Sequence, residues 1–362
     1  MESLLLRSVH PAGAMFRRTR QITRVLLANG LETLATRSGL RRFVPWWKRP
    51  SSTTPPPSEA RRLRLALGEL GVTFTKLGQM LSTRADLLPP EYIAELSVLQ
   101  DAAPPVPAED IEAVVRADLG HLDEWPFAAF ERVPLASASI GQVHAAVLRN
   151  GTPVVVKVRR PGVVEQVELD LDIIRGIVDW AQIHTPIGND YNLHSLSQTF
   201  AYTLRAELDY VREAQNLKRM RRAFEGDTGV LIPRVYTELS TQRVLVMQRM
   251  SGIGILDLAS LDRHGLSRRA IAENAVRLFL RQVLECGFFH ADPHPGNFFV
   301  QSDGSIAIID FGMVGHVNTL TQNRLLAAGL AAVRQDTEQL AEELYALGIA
   351  GEHAQRGPFE KD

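Results

Sequence analysis

The sequence predicts an α+β protein of two lobes, a small antiparallel sheet lobe and a helical lobe, preceded by a helical extension. Apolar residues recur at helical spacing over 63–81 and 163–181 but alternate with period two around Asn150-Gly151. A loop broken by Pro and Gly, His290-Ala-Asp292-Pro-His-Pro-Gly-Asn297, leads into a short apolar strand that ends at Asp310-Phe-Gly312. The 362 residues, 45% hydrophobic and 22% charged, suffice for two or three globular domains.

Residues 1–57 read as a basic arm closed by the linker Pro50-Ser-Ser-Thr-Thr-Pro-Pro-Pro57. The first fifty residues hold ten Lys/Arg against Glu2 and Glu32, with Phe16, Phe43, Trp46 and Trp47 among them. Such an arm suits an anionic membrane surface, packing on the domain behind it, or an organelle transit peptide, and the residues leave all three open. Residues 58–125 read as helices. Leu63, Leu67, Leu70, Phe74, Leu77 and Leu81 form one stripe along a single helix, Lys76 and Gln79 share another face, and Gly78 between them marks a close approach. Helices near 91–100 and 108–120 follow.

Residues 126–251 read as the sheet lobe with a helical insertion. Asn150-Gly151 predicts a two-residue hairpin between Val143–Arg149 and Pro153–Arg159. Helices over 163–181 and 194–223 come next, then strands over 233–238 and 243–250. Residues 252–362 read as the helical lobe: a helix from Ser267 to Glu285, a strand pair at 298–300 and 305–309, and helices over 319–334 and 336–347. No apolar run is long enough to cross a bilayer. Cys286, the single cysteine, excludes an intrachain disulfide and makes a reducing, cytoplasmic setting the default. A net charge of -1 gives no overall pull toward nucleic acid.

His-x-Asp-x4-Asn followed by Asp-Phe-Gly is the spacing protein kinases use, with Ala291 where their Arg stands. In phosphoryl transfer from ATP, Asp292 then orients or deprotonates the acceptor, while Asn297 and Asp310 hold Mg²⁺ against the phosphates. Lys157, on the strand of Val154–Val158, suits a phosphate contact. The loop Ala136-Ser137-Ala138-Ser139 before the hairpin can cover the phosphates with backbone N–H groups, and is stiffer than a glycine-rich one. On one continuous helix Asp209 and Glu213 nearly coincide and Glu207 points elsewhere, so Glu213 pairs with Lys157 and Glu207 serves another Lys. His290, Asp292 and His294 alternate as transition-metal ligands do, yet loop histidines beside an Asp more simply orient the loop by hydrogen bonds.

Together these residues resemble the UbiB/AarF family of atypical protein-kinase-like proteins over about 60–312. The resemblance rests on Lys76-Leu-Gly-Gln79, Ala136-Ser-Ala-Ser-Ile-Gly-Gln-Val-His144, Glu207-Leu-Asp209 with Glu213, His290 to Asn297, and Asp310-Phe-Gly312. It implies a protein-kinase-like fold that binds Mg-ATP, with ATPase or unorthodox kinase activity. It also implies a role in isoprenoid-quinone (ubiquinone) biosynthesis at the inner face of a membrane, with a quinone precursor or other lipid as partner. By resemblance the Lys-x-Gly-Gln helix folds over the cleft, and Lys76 and Gln79 reach Glu207 and Asp209. Family members continue well past Asp-Phe-Gly, so the large lobe reads as truncated, and the lack of a following Ala-Pro-Glu weighs against a peptide acceptor. Two other readings remain. A small-molecule phosphotransferase of the aminoglycoside or choline kinase type shares the His-x-Asp-x4-Asn loop but has no place for the Lys76–Gln79 helix. A nucleotide-switched chaperone without turnover is the non-enzymatic one.

Overall fold

The computed structural model describes residues 12–32, 57–99, 103–120, 122, 124–185 and 191–348. The expectations for Phe43, Trp46, Trp47 and most of the Pro50–Pro57 linker lie outside the described residues. The chain divides into two compact units, residues 1–209 with 241–244 and residues 210–240 with 245–362.

The first unit opens with α1 (Ala12–Ala28), α2 (Glu59–Leu70), α3 (Val72–Ser82), α4 (Pro90–Leu96) and α5 (Ala108–Leu119). One apolar stripe was expected to mean one helix over 63–81, but the chain bends between α2 and α3. Gly71 takes φ +94°, a conformation that a side chain would oppose. The bend leaves the Leu70 carbonyl without a helical partner, and Arg18 of α1 supplies one at 2.7 Å. The same guanidinium grips both carboxylate oxygens of buried Asp170, at 2.6 and 2.9 Å. Leu67, Leu70 and Phe74 still share one core with Met15 and Ile22 of α1, Val167 and Leu171 of α6 (Val163–His184), and Leu204 of α7 (Leu193–Glu207). Each such burial is worth about 1.5–3 kcal/mol. The other side of α1 carries Phe16, Arg17, Arg20 and Arg24, all exposed.

Between α5 and α6 lies an antiparallel sheet. In it β3 (Gly141–Leu148) pairs with β4 (Pro153–Arg159) on one side, and with β1 (Phe127–Phe130) and β2 (Ala136–Ser137) on the other. The β3–β4 connection is not the expected two-residue turn. The Leu148 N–H donates to Thr152 O and the Gly151 N–H to Leu148 O, each at 2.9 Å, so the loop holds three residues, Arg149 to Gly151. Gly151 takes φ +84° whereas Asn150 keeps a negative φ. That is a turn with a glycine bulge, since the two-residue type I′ turn needs positive φ at both positions.

In the second unit α8 (Tyr210–Ala223) is a separate helix, so the expected continuous helix over 194–223 is corrected. Leu208 and Asp209 interrupt it, and Asp is a residue type favoured just before a helix start. The strand expected over 233–238 reduces to a single bridge, Val235 to Met247 of β6 (Val244–Gln248), followed by a 3₁₀ turn at Thr237–Leu239. Pro233 has no N–H to give a ladder. A four-stranded sheet runs in the order β5 (Val230–Leu231), β10 (Ile306–Ile308), β9 (Phe298–Val300), β7 (Ile253–Gly254). Beside it β8 (Phe288–His290) pairs with β11 (Val314–His316). The helices are α9 (Leu258–Arg263), α10 (Arg268–Leu280), which ends in a π turn at Arg281–Glu285, α11 (Thr319–Arg334) and α12 (Thr337–Ala346).

Candidate functional site

Two antiparallel ladders frame the loop 291–297 in the second unit. His290 of β8 faces Val314 of β11, and Phe298 of β9 faces Ile308 of β10. The segments 288–300 and 306–316 therefore run alongside each other, and residues 291–297 must face 309–313. Backbone bonds close the gap: the Ile309 N–H donates to Asn297 O at 3.1 Å, and the Ala291 N–H to Met313 O at 3.2 Å. Asn297 and Asp310 stand at the facing ends of the β9–β10 hairpin. Glu213, buried on α8, belongs to the same neighbourhood, since a Cβ added at Gly312 would stand 4.0 Å from its Oε2 and 3.3 Å from Asp310 Oδ1. Asn216, one turn further along α8, donates to the Phe311 carbonyl at 2.9 Å.

The loop histidines each hold backbone through Nδ1. His290 Nδ1 accepts from the Asp292 N–H, and His294 Nδ1 from the Gly296 N–H, both at 3.1 Å. In each neutral ring the proton then sits on Nε2. Burial lowers the His290 pKa, with Asp310 and Asp292 pulling the other way, so the ring stays neutral against Phe298 and Phe311. Asp292 is exposed, with its backbone pinned on both sides: its N–H as above, its carbonyl by His294 N–H at 2.7 Å. Among the described residues no three His, Cys, Asp or Glu converge as a metal cluster.

The remaining predicted residues lie in the first unit. Lys157 is half-buried at the middle of β4, opposite Val143 of β3 and so on the sheet face that Val143 shares. Ala136 and Ser137 form β2, and Ala138 and Ser139 begin a tight turn closed by the Ala138 N–H to Gly141 O bond of 2.9 Å. Lys76 of α3 meets Glu207 at the end of α7 at 3.0 Å, both largely buried. Gln79 turns its amide to the Leu99 carbonyl at 3.0 Å. Gly78 is the close approach: a Cβ there would collide with Leu99 and stand 3.0 Å from Leu67. With the helix broken at 208–209, the wheel relating Glu207, Asp209 and Glu213 does not apply. Glu207 and Asp209 fall in the first unit and Glu213 in the second. Motif spacing gave no sign of Arg18 or Arg160, whose partners include backbone carbonyls as well as side chains.

A family model described as the ABC1 atypical kinase-like domain matches residues 98–344. Among curated proteins, the chain is 41% identical over 286 residues to ACTIVITY OF BC1 COMPLEX KINASE 7, chloroplastic, of Arabidopsis thaliana, covering 79% of this chain and 41% of that protein. It is 40% identical over 304 residues to a probable protein kinase UbiB of Marinobacter nauticus, covering 83% and 55%. The chain spans about half the length of the curated relatives it matches. Among solved structures, Rv3197 of Mycobacterium tuberculosis, in complex with erythromycin, aligns with a TM-score of 0.56 at 27% identity, over 80% of this chain and 73% of that one. With an α+β fold, a kinase-type loop pair and a family match across most of its length, the chain belongs to the ABC1 atypical kinase-like family, the UbiB group its motifs resemble.

Proposed function

We propose that the chain binds Mg-ATP and transfers or hydrolyses the terminal phosphate, in support of isoprenoid-quinone (ubiquinone) biosynthesis at a membrane surface. The observation that carries this is the pair of ladders holding 291–297 against 309–313, which sets Asn297 beside the Asp-Phe-Gly. One amide and one carboxylate oxygen suit Mg²⁺, a hard cation that leaves its other positions to water and phosphate oxygens. In this reading Asn297 and Asp310 hold Mg²⁺, which neutralises phosphate charge when bound. Asp292, its backbone locked by two loop bonds, orients the acceptor hydroxyl or water. Lys157 contacts the α- and β-phosphates, and the Ala136–Ser139 backbone covers them. The Lys76–Glu207 pair fixes α3 against α7.

The UbiB names of relatives support the quinone role. Membrane contact is supported by α1, whose apolar side is used in the core while Phe16, Arg17, Arg20 and Arg24 remain on the outside for an anionic surface. Among the described residues no helix is long and apolar enough to cross a membrane. The test is thermal stabilisation by Mg-ATP, with Lys157→Ala and Asp310→Asn beside the wild type. Stabilisation is expected only for the wild type, and unchanged nucleotide binding in both variants overturns the assignments. An ATPase assay with anionic liposomes then separates turnover from binding alone, the outcome that selects the nucleotide-switched chaperone.

A further inference from the structure

We propose that Arg160 is the positioning residue of the turn that follows β2, deciding which way the Ser139 backbone N–H faces. The proposal rests on the nucleotide-binding reading above. Arg160 directly follows β4, and its side chain crosses to the turn. Its Nε donates to the Ala138 carbonyl at 2.9 Å, and its terminal nitrogen to Ser137 Oγ and to the Pro104 carbonyl, each at 2.8 Å. Its own backbone N–H donates to Ile140 O at 2.9 Å. One residue thus holds both arms of the turn and joins them to the segment that leads into α5. The Ala103 N–H, bonded to Ser137 O at 3.2 Å, ties the same segment again.

A second strap fixes the base of the turn. The Val106 N–H donates to Gln142 Oε1, Gln142 Nε2 to His144 Nε2 at 3.2 Å, and His144 Nδ1 to the Glu131 carbonyl at 2.9 Å. Gln142 and His144 are both fully buried. Every polar atom of this chain of groups is matched only when His144 is neutral with its proton on Nδ1.

The consequence follows from peptide planarity. In a trans peptide the carbonyl and the next N–H point to opposite sides. With the Ala138 carbonyl drawn to Arg160, the Ser139 N–H must face away from the guanidinium. A glycine-rich loop leaves that choice to the ligand; here it is made before any ligand arrives, which lowers the ordering cost of anion binding.

The test uses the full chain with Arg160→Met, which keeps apolar length and removes the donors. Amide exchange over 137–142 is expected to quicken about tenfold or more, while exchange in α6 stays as in the wild type. The Mg-ATP dissociation constant is expected to rise about tenfold, the lower edge of one charge-assisted bond. Methylguanidinium added to Arg160→Ala is expected to recover part of that affinity, which a general loss of packing would not allow. Exchange and affinity both unchanged in Arg160→Met overturn the proposal. Should that variant unfold, Arg160→Lys, which keeps charge but not the fork, carries the same two readouts. A wild type that binds no Mg-nucleotide defeats the functional reading, and the exchange measurement alone then decides the clamp.

Discussion

Replacing Arg18 tests how the bend between α2 and α3 is held. Its guanidinium lies 2.6 and 2.9 Å from the two oxygens of Asp170 and 2.7 Å from the Leu70 carbonyl. Asp170 is fully buried and the Arg18 side chain is 9% exposed. Arg18→Met leaves a buried carboxylate without its cation, at a cost of about 3–5 kcal/mol. The stranded carbonyl adds to the same loss rather than a separate one, because a single guanidinium serves both. In a unit of roughly two hundred residues, about 3–5 kcal/mol lowers the melting temperature by about 6–20 °C. Adding Asp170→Leu removes the unpaired charge, and the double variant should recover most of the loss, since apolar replacements of buried pairs are often neutral. Urea unfolding of wild type, both single variants and the double variant closes the cycle. Single losses that simply add in the double variant would refute the coupling.

Four further outcomes are expected. Gly78→Ala should destabilise by about 1–2 kcal/mol, because the collision with Leu99 outweighs the helix-propensity gain. Gly329→Ala in α11, with open space around it, should stabilise by up to about 1 kcal/mol; equal signs in thermal melts of the two would show that the Leu99 contact is wrong. Hydrogen bonds from Arg277, above all, and from Arg281 hold the Asp227 pKa down to about 2 against an ordinary 3.8. A depressed carboxyl stabilises above its unfolded pKa, and that contribution of about 1–2 kcal/mol after solvent screening is lost as pH falls from about 4 to 2. Acid titration of Asp227→Asn should lack that loss. Burial pushes the His144 pKa below its usual 6.5, with the Glu131 carbonyl and Glu112 opposing. Below about pH 6.5 the unfolded chain takes up a proton that the folded one refuses, so stability falls by at most about 1.4 kcal/mol per pH unit. A His144→Gln variant measured between pH 7.5 and 5.5 with the same slope as wild type would exclude the ring as the cause.

The helical period located the interiors of α2, α3, α6, α11 and α12 and the ends of α11 and α12 to within a residue, but it missed the breaks at Gly71 and at 208–209. Leu67, Leu70 and Phe74 fall on one side whether or not Gly71 bends the chain, so the stripe is blind to the bend. The approach of 291–297 to 309–313 was legible because the motif spacing is fixed and the strands beside it pair in register. Apart from the Gly151 bulge and Pro233, what stayed illegible has a common physical origin. Each break in an element strands a carbonyl that must find a donor. In this chain a remote arginine supplies it repeatedly: Arg18 to Leu70 O, Arg62 to Gly30 O, Arg159 to Leu208 O, Arg160 to Ala138 O, Arg221 to Ile232 O. Capping by Ser, Asp or Asn is local and can be read from neighbours, as at Asn192 and Asp336. A backbone carbonyl looks the same at every position, so no pattern of residues announces which one a distant guanidinium will reach. Where the fork spans two acceptors, as at Arg18 and Arg160, lysine cannot replace it without leaving one of them unmet.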